Sequence, residues 1–451
     1  MRNLLQLRNW RLKVLLALVG LLTVLYLLTY SSANIWSQHS SAQNRSTAYY
    51  LLPWQSNSTL KHSSTNSTVK YNGTATQRPC SQAAHPSTTY YLRHFRSIFI
   101  VDPATHQLTI DHQGNPSKIS SEVRTDSRSS AVKNKLIVMY NMPEWIERGS
   151  DAELFGHCPV STCNLSTNYD ADRAAADAVV FHDAPSHKPV PPRAFPDQVY
   201  VFHMIEPPPI AGSGYQNTSW NSAFNWTWTY TQDADIWVPY FFLERSKQLP
   251  CLNVIREVVQ RKDTPVAWFV TNCQLDQTQR LAYVNRLQKI LTVHVYGRCG
   301  TMQCPRMAKE CDDMLTTKYF FYLSFENSYC QDYVTEKFSR AFFQGVHVVP
   351  IVRGGLEYSQ HIPEGTFINA DDYRSPEDLG KYLKELMNDE GTYIDMLWRI
   401  AHFTTATYHD SYTYSWCQLC DKLHRLQDNA KTYPDLFEWY HEGRCWPPKK
   451  L

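Results

Sequence analysis

Net charge is nearly absent from this sequence: 44 Lys and Arg stand against 42 Asp and Glu in 451 residues, a formal +2. The basic residues are scattered rather than blocked, so the chain lacks the positive field by which proteins bind nucleic acid, and that class of partner is set aside. No internal repeat is visible either, which excludes an array of repeats of roughly 20 to 50 residues. Long apolar runs are equally scarce. The one that stands out, over residues 14–30, is free of charge and follows Arg2, Arg8, Arg11 and Lys13. About 17 to 25 apolar residues span a bilayer as a helix, and flanking basic residues stay cytosolic. A cleaved signal peptide has a shorter apolar core, ~7 to 15 residues, followed by small residues. The reading is a cytosolic tail over residues 1–11 and an uncleaved transmembrane signal-anchor over 12–30, with the rest of the chain lumenal as in a single-pass type II membrane protein.

What is present agrees with that orientation. The twelve cysteines form an even set, and outside the cytosol disulfides persist. Cys299, Cys304, Cys311 and Cys330, or Cys417 with Cys420 and Cys445, have spacings that could also suit zinc. A lumenal setting favours disulfides, and their pairing cannot be read from spacing. N-x-[ST] sequons at Asn44, Asn57, Asn66, Asn72, Asn164, Asn217 and Asn225 are candidate N-glycosylation sites. Residues 31–89 are rich in Ser, Thr and Asn and have almost no apolar periodicity, so they bury too little to offset the entropy of ordering. With the ambiguous stretch that follows, residues 31–130 form a flexible, glycosylated stem and linker, in which RSIFIVD could be a strand.

Beyond the stem, short apolar runs alternate with amphipathic ones. KLIVMYN (135–141), DAVVFH (177–182) and QVYVFHMIE (198–206) read as buried strands. A second series starts with PVAWFVTNC (265–273) and continues through helix QTQRLAYVNRLQKILT, strands VHVYGRCG and KYFFYLSFEN, helix TEKFSRAFFQ, strand VHVVPIV and helix SPEDLGKYLKELMND. Such alternation predicts parallel sheets covered by helices. Two series predict two α/β, Rossmann-like domains facing a cleft, over residues 131–260 and 261–400, and a C-terminal segment, 401–451, with the last cysteines.

One stretch, SFENSYCQDYVTEKFSRAFFQG (324–345), stands at the carboxyl end of a predicted strand, where open α/β sheets bind ligands. Its helix begins near Thr335 and carries Lys337 in the first turn. A cation is disfavoured there by ~0.3 to 1 kcal/mol, because the helix N-terminus is itself positive. A bound anion would reverse that sign; pairing of Lys337 with Glu336 or Asp332, or exposure to water, would be the local alternative.

The longer run FYLSFENSYCQDYVTEKFSRAFFQGVHVVPIVRGG resembles the signature of the α1,3-fucosyltransferases, inverting enzymes that use GDP-fucose. AFNWTWTYTQDADIWVPY (223–240) and AWFVTNCQLDQTQRLAYVNRLQKILTVHVYGRCG (267–300) resemble the same family in the same order. The likeness runs from about Lys135 to the terminal CQLC and omits the stem. It implies a Golgi type II membrane glycosyltransferase with a two-Rossmann (GT-B type) catalytic region. The donor-binding residues it implies are Arg280, Tyr322, Asn327, Tyr333, Glu336 and Lys337. Fixed cations there would stabilise the charge growing on departing GDP. The general base it implies falls on Glu206 in VYVFHMIEPPP, with Pro207 where the family often has Ser; His203 and Asp233 are the reserve candidates. Thr231 also departs from the family, where arginine is common. D-x-D spacings at Asp170–Asp172 and Asp233–Asp235 suit a divalent cation, but the resemblance implies no obligatory metal, only a possible stimulant.

The implied reaction transfers L-fucose from GDP-β-L-fucose, with inversion, to O3 of GlcNAc in a glycoprotein glycan. YGRCGTMQC with CDDML resembles invertebrate members and tilts the acceptor toward the N-glycan core over lactosamine-type chains. Two other readings compete: a metal-dependent glycosyltransferase using another nucleotide sugar, and a non-catalytic, membrane-anchored glycan-binding protein. The Trp and Tyr residues between Trp220 and Tyr240 could stack on acceptor sugars or simply fill a core.

Overall fold

A computed structural model describes residues 99–101 and 133–449 except 144, 145, 147, 148, 184–187, 275, 306, 307 and 407. The predicted tail (1–11), anchor (12–30), almost all of the stem (31–130) and the sequons at Asn44, Asn57, Asn66 and Asn72 lie outside the described residues. Among those described, no helix is long and apolar enough to cross a membrane. The sheets and the site belong to one compact unit within residues 62–141 and 149–451.

Two wholly parallel sheets carry the fold. The first has six strands, β2 (Lys135–Met139), β3 (Cys163–Ser166), β4 (Ala178–His182), β5 (Val199–Met204), β6 (Trp226–Thr229) and β7 (Ile236–Trp237), in the order β3-β2-β4-β5-β6-β7. Every residue of β5 and β6 is buried, as expected of parallel strands covered on both faces. The second sheet has five strands, β9 (Thr264–Phe269), β10 (Val293–Tyr296), β11 (Tyr319–Phe325), β12 (Val349–Arg353) and β13 (Ile368–Asn369), in the order β10-β9-β11-β12-β13. A small mixed sheet joins β1 (Ile100–Val101), β8 (Phe242–Arg245) and β14 (Phe403–Ala406). RSIFIVD contains β1, whereas β3, β6, β7, β8, β13 and β14 fall outside the strands that the sequence predicts.

The aromatic block 220–240 is core. Trp220, Trp226, Trp228 and Trp237 are each at most 1% exposed, so none of them can meet a sugar. Trp228 packs edge-on against Trp416 of helix Tyr408–His424, with ring centroids 4.6 Å apart. That late helix is fastened to the first sheet region by the disulfides Cys158–Cys417 and Cys163–Cys420. Helix Leu436–His441 packs Leu436 and Tyr440 into the same core as Val138, Phe181, Phe202 and Phe224. The chain therefore returns from the second sheet to the first. Further disulfides are Cys273–Cys299, Cys304–Cys311 and Cys330–Cys445, and Cys251 is also disulfide-bonded. The cysteines of the zinc-like spacings are all consumed in these bonds.

Helix Pro376–Asn388 forms as its sequence dictates, with Ser375 as N-cap accepting from the Asp378 amide and Pro376 in the first turn. Two other predicted helices are shorter than expected. The span 277–292 yields Arg280–Leu287, preceded by Gln279 in the left-handed region. The span 335–344 yields one turn, Glu336–Ser339, that tightens into a 3-10 turn at Arg340–Phe342. Gly345, with φ of 85°, then turns the chain toward β12.

Candidate active site

The switch point of the second sheet lies between β9 and β11, where strand order reverses and ligands are accommodated. Arg280 stands there, 3% exposed, and donates to the carbonyls of Phe325, at the end of β11, and Asn272, beyond β9, at 3.2 and 2.9 Å. Its guanidinium braces the two strand ends while Asp276 accepts from its backbone amide at 2.8 Å. Arg280 Nε has no hydrogen-bond partner among the described residues, and neither do Asn327 Oδ1 and Ser328 Oγ in the loop after β11. Buried polar atoms seldom go unpaired, so these three atoms are available to water or to a bound ligand.

Glu326 opens that loop. It is fully buried, accepts from the amide of Thr335 at 2.9 Å and from its hydroxyl at 3.0 Å, and lies 3.1 Å from Lys337 Nζ. Burial pushes the Glu326 carboxyl up, and Lys337 pulls it back. Thr335 caps the turn Glu336–Ser339, and Lys337 Nζ also donates to Thr335 Oγ1 at 2.7 Å and sits 3.4 Å from Glu336. The lysine in the first turn thus has a local counter-charge, but it is chiefly Glu326, which sequence reasoning passed over, together with Glu336. Asp332, the other suggested partner, instead accepts from the amide and side chain of Gln232 at 3.0 Å each. Lys337 remains 16% exposed, so the head of the cation is not sealed.

Glu206 follows β5 in the first sheet, yet it meets this loop. Its Oε2 accepts from the Tyr333 hydroxyl at 3.1 Å, and its backbone carbonyl accepts from the Tyr440 hydroxyl. Tyr230 and Tyr240 flank Tyr333 edge-on, with centroids 5.1 and 5.8 Å away, and Tyr240 OH donates to the Ile205 carbonyl at 2.8 Å. This tyrosine wall desolvates the carboxyl and lifts its pKa to about 7; Lys337 opposes the rise, Glu336 and Glu326 add to it, and the Tyr333 bond lowers it. A carboxyl poised near neutrality, partly exposed, is suited to take a proton.

Tyr322 lies in β11, 2% exposed, with its ring 5.7 Å from Phe269 and its hydroxyl pushed up to about 12 by burial. Of the residues predicted for the site, Glu206, Tyr333, Glu336 and Lys337 form one electrostatic cluster, while Arg280, Tyr322 and Asn327 line or support the neighbouring strand ends. The reserve candidates are placed otherwise. His203 is fully buried, 3.0 Å from both His182 Nδ1 and Tyr412 OH, and burial holds its pKa well below the ordinary value. Asp233 pairs with Arg444 at 2.5 Å. Asp235 accepts from Tyr433 OH at 2.7 Å and pairs with Lys431 at 3.1 Å, so the two carboxylates of that D-x-D serve different partners. Asp172 of the other D-x-D accepts from Ser166 at 2.5 Å. Among the described sequons, Asn225 uses both ends of its amide, accepting from Tyr200 N at 2.9 Å and donating to the Lys431 carbonyl at 3.0 Å. Asn164 is exposed on β3.

Two family profiles match these same regions: "Fucosyltransferase, N-terminal" over residues 132–241 and "Glycosyltransferase family 10 (fucosyltransferase) C-term" over residues 259–439. The chain belongs to glycosyltransferase family 10, the fucosyltransferases. Alpha-(1,3)-fucosyltransferase C of Drosophila melanogaster is 35% identical over 313 residues, 64% of this chain and 70% of that protein. Glycoprotein 3-alpha-L-fucosyltransferase A of the same species is 34% identical over 70% of this chain and 62% of its own length. An alpha-(1,3)-fucosyltransferase of Caenorhabditis elegans is 32% identical over 67% of this chain and 69% of its own length. A crystal structure of an alpha1,3-fucosyltransferase with GDP-fucose aligns with 60% of this chain and 82% of its own, at 19% identity and a TM-score of 0.43. As a member of the family, the protein is a glycosyltransferase, and invertebrate fucosyltransferases stand among its most similar relatives.

Proposed function

We propose that this fucosyltransferase moves L-fucose from GDP-β-L-fucose, with inversion, to O3 of a GlcNAc in a glycoprotein glycan, the N-glycan core being preferred to lactosamine-type chains. The two parallel sheets would act as the two lobes of a GT-B-type enzyme, held in the Golgi membrane by residues 12–30 with the catalytic region lumenal. The observation that carries the reading is the meeting of Glu206, raised to about 7, with the Lys337 cluster through Tyr333. Glu206 takes the proton from the acceptor hydroxyl. The freed oxygen attacks the anomeric carbon, and the bond from that carbon to the β-phosphate oxygen breaks. Lys337 and Arg280 receive the charge that gathers on GDP. Asn327 and Ser328 offer unpaired polar atoms, and Tyr322 and Glu336 flank the donor. No obligatory metal is needed in this scheme; a divalent cation would act only as a stimulant.

The test supplies the full-length protein with labelled GDP-fucose and a panel of N-glycan core and lactosamine acceptors, with and without EDTA. Transfer that persists in EDTA and prefers core acceptors is the expected result. Transfer abolished by EDTA, or restricted to another nucleotide sugar, would overturn it.

A further inference from the structure

The acceptor of a fucosyltransferase is a chain of sugars, whereas Glu206 can contact only the sugar being modified. We propose that the C-terminal tail supplies a second acceptor subsite, with the indole of Trp446 as a stacking platform for a glycan residue beyond the one that receives fucose. The inference rests on the reading of Glu206 as the base. The great run of tryptophans in the first sheet is consumed by the core, but Trp446 is 44% exposed. Among the described residues its indole has no hydrogen-bond partner and no ring contact.

The mount of this ring is rigid. Trp446 N donates to the Tyr329 carbonyl at 2.9 Å, Gln331 N donates to the Arg444 carbonyl at 2.7 Å, and Cys445 between them is disulfide-bonded to Cys330. Three residues on, Lys449 Nζ donates to the Asp371 carbonyl at 2.8 Å, and the intervening Pro447 and Pro448 restrict the backbone further. With the backbone beneath it already fixed, covering the indole costs little main-chain entropy.

Its position is tied to the base from two sides. The tail leaves helix Leu436–His441, whose Tyr440 hydroxyl donates to the Glu206 carbonyl, and pairs with the loop whose Tyr333 hydroxyl donates to the Glu206 carboxylate. The backbone of Trp446 is therefore joined to the loop whose Tyr333 meets Glu206. Sugar rings present a face of C–H groups to the electron-rich face of an indole. Two residues before Trp446, Arg444 joins Asp233 and Gln331 in a polar group able to bond hydroxyls: Arg444 reaches Asp233 at 2.5 Å and Gln331 at 3.1 Å. An apolar platform combined with a few polar groups is the general composition of a site for a small polar ligand.

The test compares the parent with Trp446→Ala and Trp446→Phe on two acceptors, a glycopeptide bearing a branched N-glycan and a simple GlcNAc glycoside. Trp446→Ala is expected to raise KM for the glycopeptide about tenfold, the worth of one aromatic contact of ~1.4 kcal/mol. Trp446→Phe should restore most of that loss, with KM for GDP-fucose and turnover of the simple glycoside unchanged. Glycopeptide binding measured on a Glu206→Gln background should weaken by the same factor when Trp446→Ala is added. An unchanged glycopeptide KM, or equal losses on both acceptors with a raised donor KM, overturns the subsite. Retained activity in Glu206→Gln alone would instead overturn the base assignment, and the comparison of acceptors would still report on Trp446.

Discussion

A carboxyl lifted to about 7 makes Glu206 useful and costly in the same stroke. As the proposed base it must be ionised, so kcat/KM should fall as pH drops below about 7, and Glu206→Gln should lose ~10² to 10⁴-fold in turnover with no such pH dependence. Its folded pKa lies above the ordinary carboxyl value of 4.5, so folding favours the protonated form. The associated stability is fully present below about 4.5 and is lost as pH rises through about 7. Thermal melts should therefore show Glu206→Gln more stable than the parent above pH 7, with the gap closing toward pH 4.5; a gap independent of pH would contradict the shift. Lys337 carries the opposite balance. Lys337→Ala leaves Glu326 buried without its cation, and loss of one partner of a buried pair typically costs ~3 to 5 kcal/mol. The melting temperature should drop along with activity, and adding Glu326→Gln should recover the melt but not the transfer. Lys337 could be singled out from its awkward place at a helix start, and Glu206 and Arg280 from resemblance. Glu326 was not, because a glutamate beside the named Asn327 gives no sign of burial in one dimension.

At the scale of elements, the loop after β11 owes its shape to the glycines after β12. A Cβ on Gly355 would lie 1.9 Å from the Cys330 carbonyl oxygen, a backbone atom that cannot step aside, whereas one on Gly354 would meet Glu326 Cγ at 3.0 Å and Tyr358 OH at 3.1 Å. Gly355→Ala should abolish the yield of folded protein, and Gly354→Ala should lower activity and melting temperature modestly; comparable behaviour of the two would refute this account of the loop. The strands were legible where β-branched and aromatic runs are continuous, as in KLIVM and VYVFHM. β6 was missed because WTWT was read through its family motif and its possible sugar contacts, while its burial comes from layers distant in sequence. The turn Glu336–Ser339 was overextended because TEKFSRAFFQ has helical periodicity, which the chain abandons at the 3-10 turn that follows.

Across the whole molecule, disulfides spanning 257 and 259 residues bind helix Tyr408–His424 to the first sheet region. A third, spanning 115, ties the tail to the loop after β11. Loops of this length each restrict the unfolded chain by about 5 kcal/mol in the chain-entropy picture. Cys445→Ser should loosen the loop after β11 and lower turnover more than Cys304→Ser, whose bond closes only seven residues; equal effects on turnover would argue against a role of the tail in the site. None of the three long pairings could be deduced from spacing, since each joins partners 115 or more residues apart that only the finished fold brings close. The parts that steady this site come late along the chain: Tyr440, whose hydroxyl backs Glu206, follows it by 234 residues, and Cys445 follows Cys330 by 115. A chain that has formed both sheets but has not yet docked these residues holds Glu206 without its backing and the loop after β11 without its tether. Assembly of the site is therefore coupled to closure of the longest-range contacts, and not to the formation of either sheet.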